Sequence, residues 1–444
     1  MTEERRPAER SQDVPALTLD RSFQQAGRLV AVGDMMLEAE GLTAPVGTCC
    51  RIEVPGEALV LAEIVAYHRR SALLMPFEDH RRLEANARVL PTAEENVCGV
   101  GIELLGRVID GLGRPLDGGE PVRTALVWPL GRRGIARFEH RRAEIPFDTG
   151  VRVINGLLTI GQGHRIGLCT RPDAGKQMLL GLIARAAEAD VVVIGLCGTR
   201  TSDNEHFLKA MLDEAARARS IVVAEPAECP PVLRVRAAVR ATAIAEAFRA
   251  QGRNVLLILD SLTRVAEAQR RIALLLGEAP AEGGYPESAL DLIGKLLDRS
   301  GRDLRSGGAL TATYTFLPEA GESSDPVLEA GLPWLDGTIS LSRRLAGAGH
   351  YPPVDLAASS TRAFAEIAAP PHLSAARHLQ MMWMRIEDNR HLIDSARYQP
   401  GQDAALDEAM TMQPEMTRWL EQGLTERAGY AASVASLIDV FGPR

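Results

Sequence analysis

The chain has 444 residues, 46% apolar and 24% charged, with 50 Lys and Arg against 58 Asp and Glu for a formal charge of −8. That length implies about three domains at roughly 150 residues each. The acidic balance and a 4% aromatic content argue against a nucleic-acid protein with a wholly basic or stacking-rich surface, and no run approaches the ~20 apolar residues of a membrane span.

The opening MTEERRPAERSQD has no apolar core, so no secretory leader is expected. Residues 1–26 read as a mobile charged segment. Over 27–93 the runs RLVAV, CCRIEV, ALVLAEIVAY, SALLMPF and ARVLP lie between turn residues and predict short strands of a small β-barrel. Residues 94–147 read as a connecting region, with GRVIDGLGRPLDGG and WPLGRRG turning on Gly and Pro.

From 148 to 369 apolar runs alternate with helical stretches. RIGLC, DVVVIGL, SIVVAEP, NVLLILD and ALTATYTFL are apolar on both faces, which predicts a mostly parallel α/β sheet covered on both sides. MLLGLIARAAEA places Met178, Leu179, Leu182, Ile183 and Ala186 on one helical face. Residues 370–444 read as an α-helical domain, strongest at 376–396 and 405–440. The cysteines Cys49, Cys50, Cys98, Cys169, Cys197 and Cys229 form no Cys-x-x-Cys pair. Small buried hydrophobes in a reducing compartment are expected, with a zinc or redox site as the alternative.

In such a sheet a ligand lies beyond the carboxyl ends of the strands. Gly175-Lys176 stands after a strand and before a helix, where either a phosphate loop ends or an ordinary helix starts. Asp260 closes NVLLILD, as a magnesium-directing carboxylate or as a cap of the next helix.

Longer stretches carry a resemblance to a known family. LEAEGLTAPVG, GRVIDGLGRPLDG, FDTGVRVINGLLTIGQGHRIGL, LRVRAAVRATAIAEAFRAQGRNVLLILDSLTRVAEAQRRIALLLGEAPAEGGYP, LDGTISLSRRLAGAGHYPPVDL and the helical tail resemble the flagellar and type III secretion export ATPases, relatives of the ATP synthase β subunit. The resemblance runs from about residue 28 to the end, and its N-terminal half leans to the flagellar branch. It implies a RecA-like P-loop domain between the barrel and the helices, with ATP and Mg2+ as cofactors. Lys176 would be the phosphate lysine, beside Gly175 and Gln177, and Asp260 the metal-side carboxylate. Tyr351 would pack on adenine, Arg362 would be an arginine finger offered to a neighbour, and Arg200 would stand beside the catalytic glutamate. Without the motif, Tyr351 would read as a turn filler and Arg362 as half of a surface ion pair. The resemblance also implies a hexameric ring at the cytoplasmic face of the inner membrane, peripherally associated through the export apparatus. Its partners would be a stator-like regulator, a stalk protein, the export gate and export chaperones, with no nucleic acid.

Departures from the pattern fall in two places. The family loop reads approximately A-G-S-G-V-G-K-[ST], whereas residues 170–177 read TRPDAGKQ. Arg171 and Asp173 replace glycines, at a cost on the order of 1 kcal/mol each where φ is positive, and Pro172 removes a backbone donor. A carboxylate at Asp173, ~5 Å from a phosphate charge at an effective dielectric of ~20, costs about 3 kcal/mol. Gln177 replaces the magnesium-binding hydroxyl. The family's G-E-R-G-R-E is here GTRTSD, so Thr199 occupies the place of the catalytic glutamate. Losing a positioned base costs about 10²–10⁴ in rate, and Asp203 and Glu205 are out of register. Asn155 stands where relatives have aspartate. The expectation is a chain that keeps the fold and the ring contacts and hydrolyses ATP weakly or not at all. The alternatives are an inactive ring subunit mixed with an active paralogue, an ATP synthase α/β-type subunit, and an RNA-translocating hexamer.

Overall fold

The computed structural model describes residues 25–443 apart from 55–58, 79, 81, 93–95, 132–144, 172–173 and 319–324. The charged opening through residue 24 and the Pro172 and Asp173 positions therefore lie outside the described residues.

Six strands, β1 (Gly27–Val32), β2 (Leu37–Glu40), β3 (Cys49–Ile52), β4 (Val60–His68), β5 (Ser71–Pro76) and β6 (Arg88–Thr92), close into a barrel in the order β1-β2-β5-β4-β3-β6. Alternation points Leu29, Leu37, Ile52, Ile64, Leu74 and Val89 into its core. Cys49, Met75 and Phe77 of the barrel pack on Val232, Leu233 and Ile272 of the central domain. There Arg236 donates to Glu63 at 2.9 Å. Burial raises the pKa of Glu63, and the arginine opposes that shift.

The central sheet is built from β7 (Val108–Ile109), β8 (Arg165–Cys169), β9 (Val191–Cys197), β10 (Ser220–Glu225), β11 (Asn254–Asp260), β12 (Ala309–Phe316), β13 (Gly337–Leu341) and β14 (Val354–Thr361). Their spatial order is β14-β13-β8-β12-β11-β9-β10-β7. All neighbours on this path are parallel except the antiparallel β13–β14 pair. The two-sided apolar runs follow from two cores. Ile166, Leu168, Ile194 and Ile258 face α1 (Lys176–Ala186) and the C-terminal helices. Val193, Leu257, Leu259 and Tyr314 face α2 (Pro231–Ala250), α3 (Leu262–Leu275) and α4 (Glu287–Leu297).

The C-terminal domain packs α5 (Pro370–Asp394), α6 (Ala404–Leu420) and α7 (Tyr430–Phe441). The helical reading of 405–440 as one segment is divided here: residues 421–429, with Gly423 and Gly429, separate α6 from α7. That break does structural work. Buried Gln422 donates to the Gly150 carbonyl at 2.8 Å, accepts from the Arg152 N–H at 2.7 Å, and gives its own N–H to the Tyr351 carbonyl at 2.8 Å. All six cysteines are free, and five are buried. Burial pushes the thiols of Cys98 and Cys169 up to about 11, which keeps them unreactive near neutrality. Among the described residues no helix is long and apolar enough to cross a membrane.

Candidate functional site

The parallel strands β8, β9, β10 and β11 all end on one edge of the sheet, and the loops leaving them gather the site. Gly175 is the N-cap of α1 with φ +77°, a left-handed conformation that glycine adopts without a Cβ penalty. A Cβ there would stand 3.4 Å from Pro353, so the Tyr351–Pro353 turn borders the loop.

Lys176 starts α1 and reaches across to β11. Its Nζ donates to both carboxylate oxygens of Asp260, at 2.6 and 2.7 Å. Thr315, buried on the neighbouring β12, donates its hydroxyl to Oδ1 of the same carboxylate at 2.6 Å. Asp260 is 2% exposed, so these donors replace the water it lost on burial. Ser261 caps α3 by accepting from the Arg264 N–H. The capping role open to Asp260 thus falls to the next residue.

The turn after β9 is arranged differently. Gly198 takes φ +78°, with Arg264 Cβ 2.7 Å and Arg234 Cδ 3.6 Å from where a Cβ would stand. Thr199 is half-buried, and its hydroxyl donates to Asn204 Oδ1. Its carbonyl accepts from the Ala227 N–H at 2.9 Å. Arg200 is exposed at the start of the short helix Thr201–His206. Arg264 forms an ion pair with Glu267 at 2.8 Å.

Tyr351 packs against the core with its hydroxyl buried and without a partner among the described residues. Burial pushes its phenol pKa well up. Arg362 is placed elsewhere. Because β14 runs antiparallel, Thr361 pairs with Gly337 at the start of β13, whereas Val354 pairs with Leu341 at its end. Exposed Arg362 therefore sits at the amino ends of the strands, away from the Lys176 loop of its own chain.

The structure thus brings Gly175, Lys176, Asp260 and the Tyr351 turn together, and sets Thr199 and Arg200 on a nearby loop of the same edge. Thr315, Asn204, Arg234 and Arg264 were not singled out by sequence. A triphosphate with magnesium fits these residues only in part. Lysine and aspartate stand where such a ligand needs them, but Gln177 supplies no hydroxyl on the first turn of α1 and Thr199 supplies no carboxylate.

Comparison with known proteins agrees with the architecture. Residues 150–361 match the ATP synthase alpha/beta family nucleotide-binding domain, and residues 368–439 match the T3SS EscN ATPase C-terminal domain. The flagellum-specific ATP synthase of Pseudomonas aeruginosa is 41% identical over 418 residues, covering 94% of this chain and 93% of that protein. Its counterpart in Salmonella typhimurium is 40% identical over 433 residues, covering 95% and 94%. The assembled ATPase EscN from the enteropathogenic E. coli type III secretion system superposes with a TM-score of 0.86 at 32% identity, covering 94% of this chain and 100% of that one. The same ATPase has also been solved with its central stalk EscO.

Proposed function

This chain belongs to the flagellar and type III secretion export ATPase family, and we propose that within it the chain is a ring subunit whose ATP hydrolysis is weak or lost. The observation that carries this reading is the Thr199 turn. At the place of the family's catalytic glutamate stands a hydroxyl, and it is committed to Asn204. A threonine hydroxyl does not take a proton from water near neutral pH, so no general base is held there. Gln177 and the rebuilt 170–174 loop act in the same direction. ATP with Mg2+ is the ligand that the family's nucleotide-binding domain implies. In this chain Lys176, Gly175 and Tyr351 would contact the nucleotide and Asp260 would face the metal.

The ring would be a homohexamer or a mixed ring with an active paralogue, with Arg362 presented to the neighbouring subunit from the sheet edge. A stalk protein like the one bound to EscN fits this reading, as do a stator-like regulator, the export gate and export chaperones at the cytoplasmic face of the inner membrane. The assembled state reported for EscN supports the ring. The test is steady-state phosphate release by the oligomerised protein with magnesium and ATP, beside titration with a fluorescent ATP analogue competed by ADP. Release no faster than that of Lys176→Ala supports the proposal, and turnover that depends on Lys176 overturns it.

A further inference from the structure

Around the Thr199 turn, buried hydrogen-bond donors are left without acceptors among the described residues. Arg234 of α2 is 5% exposed, and its Nε and Nη2 have no partner among the described residues. Burial and then the positive charge of Arg271 push its pKa down, with Glu267 and the Cys229 side chain opposing and Arg264 adding to the fall. Asn204 is 6% exposed, and its Nδ2 is also without a partner. Its Oδ1 is already taken by Thr199. Three acids of this region have other partners: Glu267 pairs with Arg264, Glu225 accepts from the Gly111 N–H at 2.9 Å, and Glu228 accepts from the Thr201 hydroxyl at 3.3 Å. Nε and Nη2 of a buried cation and the Nδ2 of a buried amide thus flank residues 198 and 199 with no acceptor among the described residues. Such groups are costly to bury unpaired.

We propose that Arg234 and Asn204 form a carboxylate receptor behind residue 199, so that a glutamate placed there is held as a paired anion. The inference rests on the reading of Thr199 given above and makes Arg234 a positioning residue. An anion at 199 would take the N–H groups of Arg234, and the Asn204 amide, turned over, would offer its Nδ2. The donor framework then outlives the base, and a single substitution restores the pairing.

The experiment is thermal unfolding of the full chain without nucleotide. Thr199→Glu is compared with the neutral Thr199→Gln, each in the wild-type, Arg234→Met and Arg234→Lys backgrounds. The receptor predicts that Thr199→Glu raises Tm by about 2–4 °C, the shift expected for roughly a fivefold gain in folding equilibrium in a domain of this size. Thr199→Gln gives no such rise. Arg234→Lys retains most of it and Arg234→Met abolishes it. An equal Tm change for Glu and Gln in the wild-type background overturns the proposal, even if Arg234→Met does not fold. Because no nucleotide is present, hydrolysis by the wild type would refute the functional reading without touching this result.

Discussion

Two turns on the same edge of one sheet have opposite polar accounts. At the end of β11 the Asp260 carboxylate is matched by Lys176 and Thr315, so charge and hydrogen bonds close on themselves. At the end of β9 the Thr199 hydroxyl is spent on Asn204, while Arg234 Nε and Nη2 and Asn204 Nδ2 go unmatched among the described residues. The folded sheet tolerates an unmatched turn beside a matched one because the strands beneath both are buried, apart from half-buried Asn254, and fix the backbone. The first turn closes a buried ion pair on the residues that would also meet a nucleotide, and the second is where a reaction would need an acid–base group.

The comparison breaks most visibly at Lys176. Lys176→Ala leaves a buried carboxylate without its counter-charge and is expected to cost about 3–5 kcal/mol of stability, read as a lower urea midpoint without nucleotide. An unchanged midpoint would mean that the pair is not structural. Thr315→Val removes one hydrogen bond to a charged group and should cost less, about 1.5–3 kcal/mol.

These measurements belong above pH 7. Burial lowers the pKa of His164, His350 and His372 from their usual 6.5, so below that value the unfolded chain binds protons that the folded chain refuses. Stability then falls as pH drops through about 6.5. Urea midpoints at pH 7.5 and 5.5 check this, and equal midpoints would contradict it. The smallest effect is expected at the unmatched turn. Thr199→Val removes one half-buried hydroxyl contact, worth about 0.5–1.5 kcal/mol. A loss as large as that of Lys176→Ala would erase the difference between the turns.

Most of the fold was legible in the chain because both-face burial leaves a continuous signal. VVVIGLC and NVLLILD are apolar at every position or nearly so, as strands buried on both faces must be. The break at 421–429 was not. Helical periodicity runs on either side of it, and what stops the helix there is the Gln422 link to Gly150, Arg152 and Tyr351, residues remote in sequence.

The site divides in the same way. Lys176 and Asp260 carry local signals, a glycine-lysine before a helix and an aspartate closing a strand. Thr315 and Asn204 acquire their roles only from side chains brought in by other segments. Arg234 had one readable sign. The helix LRVRAAVRATAIAEAFR carries arginines at 234, 236, 240 and 249 among alanines, with no clean polar face. That pattern suits a helix buried all round, and all four arginines are 6% exposed or less.

The central claim is that no base stands behind the terminal phosphate position of this chain. Rapid-quench measurement of phosphate formed in a single turnover, with oligomerised protein in excess over magnesium-ATP, tests it most directly. The account predicts a trace indistinguishable from that of Lys176→Ala. Phosphate appearing at roughly one per second, an ordinary enzyme rate, and lost in Lys176→Ala would contradict it.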